Sequence, residues 1–435
     1  MPAIEKLSFD AMVVGGGIAG IEAAINLGNN DLKVLLVERD LTLGGRMIML
    51  SKVFPTLDCG ACITTPKISE VARHPNVTIF TNSEVKSIQK QDKHYFKASL
   101  IRHPRYIEES NCTGCQLCEE ACPVVVPDQY QYDLVGRKVA YIPFSIASPR
   151  VAVIDMDNCI LCGACERACP PQCIDFTQHD IDCQIVVKTV IMATGFNLFD
   201  PLKIPRFAYE QSKNVITAIQ MERLLAPTRP YNHVLRPGDG RAPDKIAYVL
   251  CAGSRDHTVG NPICSQICCM YSLKQAQLLM GTLPMADVTV YYINIRSFGK
   301  GFEEFYEQAK GMGINFVKGK IGKISEKENG NLILRYEDIN SGKLKETEHD
   351  LVVLSVGVLA NQDPSCFFDK GVWKLDAYGF SGQKDLCFNP SLSSIEGVFL
   401  AGTTSGPMDI PDSILSAGAA SMEAIRYFKQ STLEI

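Results

Sequence analysis

Residues 10–40 read DAMVVGGGIAGIEAAINLGNNDLKVLLVERD. A short apolar run over 10–14 gives way to Gly15-Gly16-Gly17-Ile18-Ala19-Gly20. A helical run follows through Ile21, Ala24 and Leu27, and a second apolar run over 33–37 ends at Glu38. Strand, glycine turn, helix and strand make a βαβ opening. Gly15, Gly17 and Gly20 let the backbone approach a pyrophosphate at the positive end of the helix. Glu38, eighteen residues after Gly20, is placed to accept hydrogen bonds from a ribose. Tight strand–helix packing alone would also use such glycines. The position near the start of the chain, the acid at this distance and a later Ala193-Thr194-Gly195 behind an apolar run over 185–192 favour a dinucleotide.

Within this frame lie two four-cysteine runs, Cys112-x2-Cys115-x2-Cys118-x3-Cys122-Pro123 and Cys159-x2-Cys162-x2-Cys165-x3-Cys169-Pro170. Three thiolates two residues apart wrap one face of a [4Fe-4S] cube, and the fourth cysteine of each run reaches the other cube. On that rule Cys112, Cys115, Cys118 and Cys169 hold one cluster, and Cys159, Cys162, Cys165 and Cys122 the other. Zinc sites lack the third close cysteine and the trailing proline.

A chain of 435 residues has room for two or three domains, and 46% apolar with 21% charged residues is ordinary for a soluble globular protein. The net charge of −5 argues against a nucleic-acid partner or an anionic membrane held by bulk electrostatics. Eighteen cysteines without a visible leader point to a reducing compartment where thiols serve metals or redox chemistry. No apolar stretch reaches the ~18 residues that a spanning helix needs. The expected location is the cytoplasm, with any membrane association made through partners.

The chain reads as an α/β, two-dinucleotide-domain flavoprotein carrying an inserted α+β ferredoxin domain with two [4Fe-4S] clusters. Its expected segments are 1–102, the first part of an FAD-binding domain; 103–183, the ferredoxin-like insert; and 184–240, the second part. Next come 241–350, a nucleotide-domain-like unit, and 351–435, the last part of the FAD domain. The second unit alternates a strand over 246–250, a helix over 272–280, a strand over 288–295, a helix over 302–310, a hairpin across Asn329-Gly330 and a strand over 351–356.

FAD is preferred to NAD because the first βαβ unit is completed by a distant C-terminal strand, over 397–402, and a helix from about 411 to 428. A helix whose N-terminus faces the isoalloxazine favours the anionic reduced flavin; the alternative is a packing helix rich in small residues. The residues expected at the dinucleotide are Gly15, Gly17, Ile18, Ala19, Gly20, Glu38, Arg39, Gly45, Arg46 and Val85. To these are added Ala193, Thr194, Gly195, Gly402, Thr403, Ile410 and Pro411.

The second unit carries Cys251-Ala252-Gly253-Ser254-Arg255-Asp256 where a glycine fingerprint would stand, so it lacks the glycines that cradle NAD(P)H. Cys251-x12-Cys264-x3-Cys268-Cys269 form a quartet there, and spacing alone leaves a metal site and buried free thiols equally open.

These features together resemble the A-type subunit of heterodisulfide reductase (the HdrA family), the flavin and iron–sulfur component of flavin-based electron-bifurcating complexes of anaerobes. The matching motifs are Gly15 to Gly20, Gly44-Gly45-Arg46-Met47, Phe54-Pro55-Thr56-Leu57-Asp58-Cys59-x2-Cys62 and both ferredoxin runs. Cys251 to Asp256 and Gly406-Pro407-Met408-Asp409-Ile410-Pro411-Asp412 complete the set. The resemblance implies a thioredoxin-reductase-like FAD fold and a third [4Fe-4S] cluster on Cys251, Cys264, Cys268 and Cys269. It implies a short form, since full-length members carry a further N-terminal domain and a C-terminal ferredoxin domain. It places a lysine before the Asp-Ile-Pro stretch, where this chain has Met408; a lost cation there alters the flavin's potentials. The implied partners are other iron–sulfur or flavin subunits, of the family's B and C types or linked to hydrogenase, formate or NADH, together with ferredoxin; a homodimer is compatible with them.

The function expected is an oxidoreductase subunit that converts two-electron flavin chemistry to one-electron cluster transfer, with electron bifurcation as an extension. Related settings are an ATP-independent aromatic-ring reductase and a quinone-interacting complex. A pyridine-nucleotide oxidoreductase like the small subunit of glutamate synthase is disfavoured by the sequence at Cys251, and an electron-inert scaffold is a third class. Cys59 and Cys62 are the flavin-proximal catalytic candidates, as a redox dithiol or as ligands of a further cluster. Cys173, Cys183, Cys366 and Cys387 read as structural.

Overall fold

The computed structural model describes residues 5–92, 94–361 and 363–433; residues 1–4 and 434–435, the extremes of the first and last expected segments, lie outside them. The chain divides into two compact units, one of Met1–Ile48, Ile63–Phe196 and Ala360–Ile435, the other of Met49–Cys62 and Asn197–Leu359.

The first unit is built on a five-stranded parallel sheet in the order Val398–Leu400, Thr189–Met192, Ala11–Val14, Val34–Val37, Val77–Phe80. Ala11–Val14, Val34–Val37 and Thr189–Met192 are buried at every position, as strands covered on both faces must be. A second sheet pairs Glu5–Ser8, Ile181–Val187, Phe96–Arg102 and Ser83–Lys90. The single strand expected over 185–192 is therefore two: the chain leaves one sheet for the other at Lys188, whose N–H bonds to the Asp10 carbonyl.

The insert that carries the two cysteine runs leaves from one of two paired strands and returns to the other, because Arg102 lies opposite Ile181 and Leu100 opposite Cys183. A long excursion from an antiparallel pair disturbs the sheet little, since its ends are already neighbours. It also closes earlier than expected, as 181–183 belong to the sheet.

The helix Ile410–Leu433 lies against the first helix, Ile18–Gly28. Ala417, Ala420, Ser421 and Ala424 are fully buried, and the Ser421 hydroxyl reaches the Ala23 carbonyl. Small side chains are what let two helices approach this closely.

The second unit has a seven-stranded sheet in the order Val215–Thr217, Leu351–Val356, Lys245–Ala252, Asp287–Tyr292, Asn315–Glu326, Leu332–Asp338, Lys343–His349. The first five run parallel and the last two form antiparallel pairs, with the hairpin at Asn329-Gly330 as expected. Leu351–Val356 lies between two strands of this unit, so the boundary drawn at 350 falls short of it. The segment Met49–Cys62 also belongs here, held by buried charge. Glu222 accepts from the Ser51 N–H (2.9 Å) and hydroxyl (2.6 Å) and pairs with Lys274, whose ammonium also donates to the Lys52 carbonyl (2.9 Å). Lys274 and Glu222 are buried, and an ion pair survives there only with its remaining donors and acceptors satisfied.

Candidate functional site

In the first unit the glycine turn is closed by contacts that admit no side chain. A Cβ on Gly15, where φ is +109°, would strike the Ala193 carbonyl, and one on Gly20 would strike the Gly15 carbonyl. At Gly17 a Cβ would meet nothing within 4 Å, and this N-cap residue supplies no side-chain cap. The opening N–H groups of a helix have no acceptor within it, so the open space at Gly17, just before Ile18, suits a phosphate. Gly45, at φ +52°, backs onto the Cα of Gly17, and the Gly44 N–H bonds to the Gly16 carbonyl at 2.9 Å.

Glu38 is buried at the end of its strand and accepts from the N–H groups of Gly16 (2.5 Å) and Asp40 (2.8 Å). Burial, reinforced by the Asp40 charge, raises its pKa to about 7. Arg39 is exposed and paired with Asp363 at 2.7 Å, while Val85 is buried in the core beside a bulge in its ladder. Thr194 has its hydroxyl 2.9 Å from that of Thr404, and its carbonyl accepts from Asn361 (2.9 Å). Gly195, at φ +71°, has open space around it.

Gly402, at φ +65°, lies against Ala19, and its N–H bonds to the Ser416 hydroxyl; Thr403 follows in the same short turn, Gly402–Thr404. Ile410 and Pro411 open the long helix. Asp409, which in the sequence stands out only as part of a matching motif, caps it: its carboxylate accepts from the Asp412 N–H at 2.9 Å. Burial raises the Asp409 pKa. An Asp directly before an Ile-Pro helix start is a readable cap signal.

Both cysteine runs fold alike. Each wraps through two left-handed positions, Gly114 and Gln116 in the first and Leu161 and Gly163 in the second, into a short helix, Leu117–Ala121 or Ala164–Ala168. One cavity is lined by Cys122, Cys159, Cys162 and Cys165, the set assigned to one cube, with Pro123, Val124, Val139, Ala140, Ile154 and Phe176 among the other lining residues. In the other set, burial and then the charges of Cys112 and Cys115 push the Cys118 thiol up to about 12. Cys165 is pushed up by burial, with Cys159 and Cys122 among the neighbouring charges. Thiols that resist ionisation when crowded together become ligands where iron balances their charge. Among the described residues no group of three or more His, Cys, Asp or Glu is placed to hold a single metal ion; Cys122, Cys159, Cys162 and Cys165 stand around a space.

The insert touches the glycine-turn region directly. The Tyr130 hydroxyl donates to the Ile48 carbonyl (3.1 Å), and Arg46 donates to the Tyr132 hydroxyl (2.9 Å) while lying over the Phe196 ring. Arg105, 2% exposed, donates to the Leu41 carbonyl and the Thr81 hydroxyl.

In the second unit the turn after Lys245–Ala252 brings Cys251, Cys268 and Cys269 into sulfur contact. Cys251, at φ +58°, has its pKa lowered to about 6, first by the Cys268 thiol and then, against burial, by the Arg255 guanidinium. Cys268 is pushed well above the ordinary thiol range by hydrogen bonds to both neighbours and by burial, and Cys269 is lowered by its bond from Cys268. Cys264 lies on the preceding loop, where its sulfur accepts from the Gln266 N–H at 3.4 Å. The turn itself leads into the short helix His257–Val259, and the long helix starts only at Cys268. Cys59 and Cys62 are in contact through the Cys62 N–H, 3.2 Å from the Cys59 sulfur, and that neighbour raises the Cys62 pKa. They belong to this second unit, whereas every residue expected at the dinucleotide lies in the first.

Residues 10–98 match the family of FAD dependent oxidoreductases and residues 111–174 that of 4Fe-4S dicluster domains. Thioredoxin reductase from Lactococcus lactis superposes with a TM-score of 0.55 at 14% identity, over 97% of this chain and 99% of that one. The T. acidophilum thioredoxin reductase gives 0.55 at 13%, over 98% and 99%. At that identity the likeness is one of fold, and the fold is thioredoxin-reductase-like. Among curated relatives, the A-type subunit of the H(2)/formate:CoB-CoM heterodisulfide,ferredoxin reductase of Methanococcus maripaludis is 43% identical over 95% of this chain and 63% of its own length. The A-type iron-sulfur subunit of the CoB--CoM heterodisulfide reductase of Methanocaldococcus jannaschii is 41% identical over 97% and 65%. The A-type subunit of the Ferredoxin:CoB-CoM heterodisulfide reductase of Methanosarcina mazei is 37% identical over 99% and 54%. The chain thus spans just under two thirds of the first two and about half of the third. Among the described residues no helix is long and apolar enough to cross a membrane.

Proposed function

Because the chain belongs to the family of heterodisulfide reductase A-type subunits, we propose that it is an FAD and iron–sulfur electron-transfer component of a heterodisulfide-reductase-like complex. Bound FAD supplies two-electron chemistry, and each cubane accepts one electron at a time. The residues that would hold FAD are Gly15, Gly17, Ile18, Ala19, Gly20 and Glu38, with Gly45, Thr194, Gly195 and Gly402 around them. The two cubes of the insert would be held by Cys112, Cys115, Cys118 and Cys169, and by Cys159, Cys162, Cys165 and Cys122. A third would be held by Cys251, Cys264, Cys268 and Cys269, giving about twelve irons and one FAD per chain.

The observation that carries this reading is the seat of the insert. Tyr130, Tyr132 and Arg105 bind the segment from Leu41 to Ile48, and Gly45 of that segment backs onto Gly17 of the glycine turn. These contacts support a reading in which the insert is fastened to the segment behind the glycine turn rather than carried on a loose tether. Partners of the B and C types, ferredoxin, and bifurcation at the flavin extend the same reading, as does a redox or ligand role for Cys59 and Cys62.

The test is rapid mixing of the anaerobically purified protein with a low-potential donor, with flavin absorbance and cluster EPR followed together and co-purifying subunits identified. Cluster and flavin reduction on the timescale of turnover is expected. Clusters that stay oxidised while the complex turns over would make them scaffold. Flavin bleaching by NADH or NADPH in the isolated protein would move the function to a pyridine-nucleotide oxidoreductase.

A further inference from the structure

The two halves of the insert can be laid position on position: Cys112 on Cys159, Cys118 on Cys165, Cys122 on Cys169. Four residues beyond the last cysteine of each run stand Val126 in the first half and Cys173 in the second. Cys173 is 3% exposed, and its sulfur lies 3.4 Å from that of Cys169. Cys112 is also in side-chain contact with it. Both neighbours belong to the same cysteine set. Its backbone is fixed as well, since the Cys173 carbonyl accepts from the Glu108 N–H at 2.7 Å and Ile174 bridges to Ile107. Val126 packs into the insert's core with no polar atom on its side chain, and the cavity of the other cysteine set is lined, beyond its cysteines, by glycine and apolar side chains.

We propose that Cys173 stays a thiol and donates a hydrogen bond to the Cys169 thiolate, so that the cluster held by Cys112, Cys115, Cys118 and Cys169 has a higher reduction potential than its neighbour. Donors to cluster sulfurs stabilise the more negative, reduced state. The insert thereby acquires a direction, with electrons settling on the cube beside Cys173. This inference rests on the cluster assignment above and adds the order of the two potentials.

The experiment is an EPR-monitored redox titration of the full-length holoprotein beside Cys173→Ala and Cys173→Ser, with iron counted in each. Cys173→Ala is expected to keep its iron and to lower one of the two midpoints. At fixed poise the reduced-to-oxidised ratio of that cluster should fall roughly tenfold, equivalent to ~59 mV for a one-electron couple. Cys173→Ser, which retains a donor, should recover part of the shift. Unmoved midpoints in Cys173→Ala would overturn the proposal, as would equal shifts in both variants, which would mean packing. Loss of about four irons in both would make Cys173 a ligand and overturn it too. A wild-type sample lacking the two clusters would instead sink the cluster assignment.

Discussion

In the five-stranded sheet the turn after Ala11–Val14 carries Gly15, Gly17 and Gly20 and enters a helix at Ile18. In the seven-stranded sheet the turn after Lys245–Ala252 carries Gly253, Ser254 and Arg255 behind Cys251 and meets its long helix only at Cys268. Both turns stand at the carboxyl end of a central parallel strand, the place where α/β sheets receive ligands. The difference lies in what fills the space. Glycines leave the first turn open to a phosphate, whereas in the second a Cβ at Gly253 would run into the Phe199 ring and the Gly253 carbonyl is taken by Asn261. One framework thus offers backbone N–H groups in one unit and thiols in the other, and local side chains decide the ligand.

The largest effect expected from breaking this contrast is Gly20→Val. With the Gly15 carbonyl in the way of any Cβ, the turn must shift, and purified protein should carry almost no flavin while keeping its iron, as measured by flavin and iron content. Conversely, Cys251→Ser should leave FAD at one per chain and remove about four of some twelve irons, measured on the same samples. An unchanged iron count would leave the second turn as a set of buried thiols.

A smaller effect belongs to His349 of the seven-stranded sheet. It is 5% exposed, its Nε2 lies 2.9 Å from the Tyr291 hydroxyl, and burial lowers its pKa from 6.5 to about 4. The neutral ring is the folded form, so its stabilisation is complete above pH 6.5 and is lost as pH falls toward 4. Between pH 7 and 5 the loss should be about 2 kcal/mol. His349→Gln should flatten that dependence in chemical unfolding of the holoprotein at the two pH values.

The smallest effect is at Glu38. Its pKa of about 7 means that it ionises, and becomes a better acceptor for a ribose, only as pH rises through neutrality. FAD should therefore bind the flavin-free protein more tightly at pH 8 than at pH 6, and Glu38→Gln should weaken binding roughly tenfold at pH 8 and remove the trend. Isothermal titration with FAD measures both.

Much of this contrast is legible in the residues themselves. The glycines at 15, 17 and 20 and the two cysteine runs dictate local geometry within a dozen residues, and their turns fold accordingly. What escaped the reading depends on distant neighbours. Nothing local in 49–62 says that Ser51 will satisfy Glu222, or that this segment will join the second unit. The change of sheet at Lys188 is hidden because 181–187 and 189–192 are both apolar-rich and follow one another directly. Leu351–Val356 looks like any buried strand, and only its pairing with Lys245–Ala252 and Val215–Thr217 assigns it. Cys173 passes as one more buried thiol until its separation from Cys169 is known.

The most direct test of the contrast between the two turns is a count of flavin, iron and sulfide on one anaerobic preparation of the wild-type chain, with Mössbauer spectra to identify the iron. One FAD, about twelve irons and about twelve sulfides in cubane form per chain are predicted. A flavin-free sample, or one whose iron falls to about eight with the Cys251 set empty, would contradict the account.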